Sequence, residues 1–351
     1  MNKKILITGN LGYIGPVLTD YLHSKTDYEI YGYDIGWFQD CKISEINLEK
    51  KVHQTYKDIR HIEKNDLEGI DSVVHLCAVS NDPMGKEFEQ ATFEINIDAS
   101  IALAKLCISS GVKNLVFASS CSVYGAGGDK SKTENDSVDP LTAYAKSKIA
   151  FEQALKDLNN ENNMFITCLR FSTACGPSSR LRLDLVLNDF VASAIVNKRI
   201  DILSDGSPLR PLIDVEDMSR AIHWALIRQD KSIGEQTLTI NIGRNDNNLT
   251  VLDMAKLVTE SIPGTKLSVN ENAAADKRSY SVDFSLYKSL AGDFYPQFTI
   301  KDSINRLKDL MNSCPEKLIN FREGIYIRHN VLRNLKNQNL IDNLLNDNEY
   351  N

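Results

Sequence analysis

Tyr144 and Lys148 stand four residues apart in TAYAKSK, and Ser120 precedes the tyrosine by 24 positions in ASSCSVYG. On a helix, the phenol and the ammonium would share one face, one turn apart. A free phenol, with a pKa of about 10, is a poor base at neutral pH. A cation about 4 Å away, at an effective dielectric of 20, is worth roughly 4 kcal/mol, on the order of three pKa units. With that help Tyr144 could take the proton of an alcohol and return it to a ketone. Ser120 would hydrogen-bond the reacting oxygen. A Tyr/Lys pair at this spacing is common on exposed helices and carries little meaning alone. Oxidising an alcohol also needs an acceptor for the hydride, so the rest of the chain must supply one.

The stretch ITGNLGYIG, residues 7–15, has glycines at Gly9, Gly12 and Gly15. A dinucleotide pyrophosphate accounts for all three. The turn must be tight, the phosphates must approach bare backbone, and the following helix must pack close to its sheet. The helix N-terminus then faces the anion. Asp34 follows Gly15 by nineteen residues, where a carboxylate can accept both ribose hydroxyls and would repel a 2′-phosphate. The expected cofactor is therefore NAD rather than NADP. Asp58, in KDIR, is placed to reach the adenine edge. Lys148 would also hold the nicotinamide ribose, and the nicotinamide charge would add to its effect on Tyr144.

Short apolar runs set the elements that must position these groups. Strands are expected over 3–8, 28–34, 52–58, 71–77, 114–119 and 164–171, and helices from Gly12 to about Ser24, over roughly 86–110 and over 143–158. Alternating strands and helices, with continuously apolar strands, indicate an α/β fold: a Rossmann-type doubly wound parallel sheet covered on both faces. After residue 171 the rhythm breaks into STACGPSSRLRLD, rich in turn residues. The expected organisation is a dinucleotide-binding domain of residues 1–171 plus about 214–244. A smaller C-terminal α/β substrate domain follows, of about 172–213 plus 245–330. Residues 331–351 are rich in Asn and read as a polar tail with at most one helix.

The TGxxGxxG loop, the SSxxVYG strand end and the YxxxK helix, in this order and together with Asp34 and Asp58, resemble the extended short-chain dehydrogenase/reductase family. The resemblance covers residues 3 to about 242, with weaker features to about 290. It implies that Tyr13, Ile14, Ile59 and Leu76 line the cofactor site, that Asn96 belongs beside the catalytic group, and that His75 is mainly structural. Members with a second domain mostly act on nucleotide-diphosphate sugars through oxidation at carbon 4. The resemblance thus implies an NAD-dependent epimerase or dehydrogenase of such a sugar, and a homodimer built on the helices near 86–110 and 143–158.

Within that family, sugar dehydratases carry Asp and Glu directly after the catalytic Ser or Thr. Here those positions are Cys121 and Ser122, which argues against dehydration. Cys121 is either a weak acid or base, or a small space-filling residue. Arg210, in RPLIDVEDM, and Arg278, in DKRSY, match the family's phosphate-gripping arginines, whose fork suits phosphate oxygens. Arg180, Arg182 and Asn188, in SRLRLDLVLNDF, are further substrate candidates. This segment with the DKR motif resembles enzymes acting on nucleotide-linked hexoses or heptoses, GDP-heptose dehydrogenases among them. The family's Arg-aromatic-x-Asn reads Arg170-Phe171-Ser172-Thr173 here, so Thr173 takes the place of an asparagine at the diphosphate. The alternatives are a 4-keto-sugar reductase or dehydratase, or a dinucleotide-binding regulatory protein without catalysis.

The 351 residues, 42% hydrophobic and 25% charged with a net charge of −7, fit a globular protein. No dense basic run suggests nucleic acid. The seven cysteines form no CxxC pair and no metal-ligand spacing, so no metal is expected; free thiols point to the cytoplasm. MNKKILITG lacks a secretory cleavage pattern, and no membrane span is expected.

Overall fold

The computed structural model describes residues 2–45, 51–126, 130–158, 163–228, 235–270, 272–273 and 279–347. Six strands follow the apolar runs: β1 (Lys4–Thr8), β2 (Glu29–Asp34), β3 (His53–Tyr56), β4 (Ser72–His75), β5 (Asn114–Ser120) and β6 (Phe165–Phe171). A later strand, β10 (Thr237–Ile242), joins them in one seven-stranded sheet of order β10-β6-β5-β4-β1-β2-β3. Every pairing in it is parallel. The order reverses between β1 and β4, and at such a switch point the loops leave a crevice beyond the strands' carboxyl ends.

Both faces of the sheet are covered, which is why its strands are apolar throughout. On one face α1 (Ile14–Lys25) and α7 (Val215–Ile227) bury Leu18, Leu22, Ile222 and Trp224 against Ile5, Ile7 and Val116. On the other, α4 (Ser100–Ser109) and α5 (Ala143–Asp157) bury Leu103, Cys107, Phe151 and Leu155 against Val73, Leu115 and Phe117. Thr142 caps α5 by accepting from the Ala145 N–H.

The intervening chain forms two further small sheets. One holds β7 (Thr173–Cys175), β9 (Leu209–Asp214) and β11 (Asn248–Thr250); the other pairs β8 (Arg199–Ile202) with β12 (Lys266–Val269). Around them, α6 (Val186–Val196), α8 (Val251–Ser261) and α10 (Ile300–Asn312) share a separate apolar cluster that reaches back to Tyr13 and Ile43.

Two expectations need correction. The single helix near 86–110 is instead α2 (Asp82–Glu87), α3 (Glu89–Phe93), a π-helical segment Glu94–Ala99 and then α4. Phe88 breaks the first junction with φ −117° and ψ 52°. In the π segment, Asn96 takes both the N–H and the carbonyl of Val79. The second correction concerns residues 331–351. Their start belongs to α11 (Arg328–Asn337), and Leu332, Ile341 and Leu345 are buried in the same cluster as β4 and β5. Few apolar residues among many asparagines suffice, because each lands on the core.

Candidate active site

A cleft of about 360 Å³ opens at the carboxyl ends of β1, β2, β4 and β5. Gly9, Gly12, Tyr13 and Ile14 form its floor where β1 passes into α1. Gly9 has φ +74°, and a Cβ there would lie 2.6 Å from the Cys77 amide nitrogen. A Cβ on Gly15 would stand 2.0 Å from the carbonyl oxygen of Asn10, so only glycine lets the helix start this close to the loop. Asp34 ends β2, and its carboxylate accepts from the backbone N–H of Leu11 at 3.0 Å and of Gly36 at 2.8 Å. Burial raises its pKa, while those two donors and the Arg180 charge oppose the rise. Asp58 and Ile59 continue the wall, with Leu76 opposite. The Asp58 carboxylate is held by the Arg60 side chain through Nε and Nη2.

A floor where side chains cannot fit, a helix starting from it, and a carboxylate at the end of β2 are what a dinucleotide with free ribose hydroxyls requires. The residues present fit NAD.

At the far end of the cleft α5 brings Tyr144 and Lys148 beside Ser120 at the end of β5. The Ser120 hydroxyl accepts from the Ser122 N–H at 3.2 Å and lines the same cleft as the phenol. Burial pushes the phenol up to about 12, partly offset by Ser120 and by the Arg182 charge. The expected lowering by Lys148 is absent here, for a geometric reason. The ammonium donates to the Ala118 carbonyl at 2.8 Å and sits 5.4 Å from the centre of the Tyr144 ring. Burial lowers Lys148 itself to about 8.

The strand ends are braced from behind. Glu152 on α5 accepts from the Ser119 hydroxyl and from Arg170 on β6, whose Nη2 lies 2.7 Å from it. Arg170 also donates to the Tyr124 phenol, which donates in turn to Asn241 on β10. His75 bridges Thr8 at 2.7 Å and Ser100 at 2.8 Å, in keeping with a structural part. Asn96 holds Val79 and contacts the Ser147 hydroxyl, so it supports the cleft wall from behind.

The remaining candidates separate. Ser122, Thr173, Arg182 and Arg210 line the cleft. Arg182 forms a fork with Asp184 and donates to the Ser80 hydroxyl. Arg210 lies over the Tyr280 ring, which also lines the cleft. Cys121 does not face the cleft: its thiol donates to the Arg170 carbonyl, and burial pushes its pKa far up, which removes it as an acid or base. Asn188 is wholly buried behind the cleft, donating to the Arg182 carbonyl and the Tyr13 hydroxyl. Arg180 turns toward Asp34 and donates to the Phe38 carbonyl, on the cofactor side rather than the substrate side. Both corrections have one cause: after β7 the segment doubles back along the glycine loop, with Ser178 donating to the Tyr13 carbonyl. Arg278 lies outside the described residues.

Sequence reasoning missed Trp37, Phe38, Asp82, Tyr280, Arg328 and Leu332, all of which line the cleft. Asp82 follows Asn81, which caps α2 by accepting from the Met84 N–H; that N-cap followed by Asp-Pro was a readable helix start. Arg328 and Leu332 had no local signal. Among the described residues no cluster could hold a metal ion, and no helix is long and apolar enough to cross a membrane.

Comparison with known proteins agrees with this geometry. The chain is 29% identical over 315 residues to YtcB of Bacillus subtilis (strain 168), described as an uncharacterised UDP-glucose epimerase, covering 86% of this chain and 95% of that protein. It is 26% identical to UDP-glucuronic acid decarboxylase 6 of Arabidopsis thaliana, covering 88% of both. Among solved structures, UDP-glucuronic acid 4-epimerase from Bacillus cereus in complex with NAD superposes with a TM-score of 0.74 at 25% identity, over 88% of this chain and 99% of that one. The sequence profile of the NAD dependent epimerase/dehydratase family matches residues 5–243, and the chain belongs to that family.

Proposed function

We propose that the protein is an NAD-dependent oxidoreductase or epimerase acting at carbon 4 of a nucleotide-diphosphate sugar through a 4-keto intermediate. The observation that carries this reading is that Ser120, Tyr144 and Lys148 line one cleft with the glycine loop and Arg210. When bound, the nicotinamide supplies an acceptor and donor for a hydrogen with its electron pair. The chain's own residues do the rest. Ser120 holds the sugar hydroxyl and Tyr144 takes its proton, returning it when the ketone is reduced. The Arg182 charge favours the phenolate. The ligand's own positive ring adds the charge that this phenol still needs. Leu76, Val79 and Phe171 line the same cleft and exclude water from the reacting oxygen.

Residues 172–213 and 245–330 would form the substrate domain, with Arg210 and Arg278 on the diphosphate, Thr173 at the position of the family's diphosphate asparagine, and Arg182 a further substrate residue. Residues 1–171 and 214–244 would form the cofactor domain. Cys121 faces away and Ser122 brings only a hydroxyl, so the paired carboxylates of a dehydratase are missing where that family keeps them. Seven free thiols support a cytoplasmic protein. Ile101, Leu106 and Ile108 of α4 stay partly exposed, which suits the homodimer that the resemblance implies. Light scattering tests that: a monomer at micromolar concentration excludes it.

Incubating the protein with UDP- and GDP-linked sugars while following absorbance at 340 nm tests the function. Lasting NADH marks a dehydrogenase. A new sugar isomer without NADH marks an epimerase. Binding of NAD with no conversion of any nucleotide sugar would leave the regulatory reading standing.

A further inference from the structure

Two buried guanidinium groups, one lining the cofactor cleft and one next to it, have only distant counter-charges, chiefly Asp184 for Arg328 and Asp34 for Arg180. Arg328, on the first turn of α11, is 2% exposed, lines the cleft and lies 5.3 Å over the Phe38 ring. Its nitrogens donate to the carbonyls of Ile325 at 3.0 Å and Arg180 at 2.9 Å. Arg180 is 3% exposed and donates to the Phe38 carbonyl, while its Nε is buried without a partner. Among the described residues, neither has a carboxylate within ion-pair distance, in contrast to Arg182 with Asp184 at 2.9 Å. A buried cation without an anion costs several kcal/mol. Carbonyl dipoles and an aromatic face offset only part of that.

The position says which anion completes the pair. Ser178 donates to the Tyr13 carbonyl in the glycine loop, the Arg180 N–H donates to Ser178, and Arg328 donates to Arg180. A chain of hydrogen bonds thus links the two arginines to the loop whose form suits a pyrophosphate.

We propose that Arg328, with Arg180 behind it, is a cofactor-phosphate site, so that a helix far beyond the cofactor fold completes the dinucleotide cleft. This rests on NAD being the ligand. The helix is firmly seated for that work. Glu87 on α2 accepts from His329 at 2.6 Å and from Arg333 at 2.8 Å. Arg60, which also holds Asp58, donates to the carbonyls of Leu344 and Leu345. Burial lowers Arg328 to about 10, still charged at neutral pH.

The test is exchange of resident NAD for isotopically labelled NAD, followed by mass spectrometry of the protein as purified. Arg328→Met should release NAD about 10- to 100-fold faster, the range for a lost charge-assisted hydrogen bond. Added salt should speed release from the wild type more than from the variant. Arg199→Gln, the same loss of charge in an exposed pair with Asp201, should exchange as wild type. If Arg328→Met does not fold, Arg180→Met is expected to show the same faster, less salt-sensitive release, and Arg328→Lys a smaller one. Unchanged exchange in a folded variant overturns the proposal. So does unchanged exchange with a raised KM for a nucleotide sugar, which would give the site to the substrate. Faster exchange in a wild-type background that converts no nucleotide sugar would leave this site standing and remove the proposed activity instead.

Discussion

Arg170, behind the catalytic strands, and Arg328, at the wall of the cleft, are equally hidden from solvent, at 5% and 2% exposure. Arg170 is saturated: Glu152 takes its fork and Tyr124 a third donor, and its pKa is held up by them against the burial that alone would lower it. Among the described residues Arg328 has carbonyls and a ring as close partners and no carboxylate within ion-pair distance, and burial pulls its pKa down. A buried charge that is fully answered within the protein serves the scaffold. One without a close carboxylate beside a cavity is costly unless a ligand brings the opposite charge, which is the ground for the proposed phosphate site.

Variants can sharpen or break this contrast between the two regions. The largest effect is expected in the cleft, where Tyr144→Phe should lower turnover by about 10²- to 10⁴-fold, the range for losing a positioned acid–base group. It should leave the melting temperature nearly unchanged, since Tyr144 lines the cleft and, among the described residues, its hydroxyl makes no hydrogen bond that the fold relies on. A large loss of stability would move Tyr144 to the scaffold side. Behind the strands the pattern should reverse. Glu152→Gln breaks the pair with Arg170 and should cost about 3–5 kcal/mol in urea denaturation, with activity following the folded fraction. A stable, inactive Glu152→Gln protein would mean that this network serves chemistry directly.

A third test uses pH. His75 is 1% exposed and burial lowers its pKa to about 3, from an ordinary 6.5. The unfolded chain therefore takes up the proton first. Stability from the neutral imidazole is complete above about pH 6.5 and is lost as the pH falls toward 3, at up to about 1.4 kcal/mol per unit. Asp217, raised to about 6, acts in the opposite sense, its contribution being lost as pH rises from about 4 to 6. Comparing wild type with His75→Gln at pH 7 and pH 5 cancels Asp217. The difference between the two proteins should shrink by about 2 kcal/mol at the lower pH. A difference that stays constant would show that the imidazole is not the acid-sensitive group. The smallest effect belongs to Arg199→Gln, whose exposed pair with Asp201 should shift stability by less than about 0.5 kcal/mol.

The sheet could be read from the sequence because buried parallel strands leave continuous apolar runs, and all six predicted ones form within a few residues of their expected bounds. That Ser120, Tyr144 and Lys148 share one cleft was legible because they lie at the end of β5 and the start of α5, where sequence order fixes place. Arg180 and Asn188 were misassigned because a loop's direction is set by distant contacts, here Ser178 on Tyr13. The break at Phe88 and the π segment left no mark in the apolar period of residues 86–110. Arg328 sits in a polar stretch, and nothing local shows that the chain returns to the cleft. Leu332, Ile341 and Leu345 look scattered until the fold places them on one core.

That return has a temporal consequence. During translation the glycine loop, Asp34 and Tyr144 emerge early and can begin folding as a unit. Leu332, Ile341 and Leu345 emerge almost two hundred residues after Tyr144, so the nascent chain carries an uncovered apolar patch on this sheet until then. A ribosome that stalls between these points leaves a polypeptide holding the glycine loop, Asp34 and Tyr144 yet exposing a sticky surface, a natural target for chaperones and proteases.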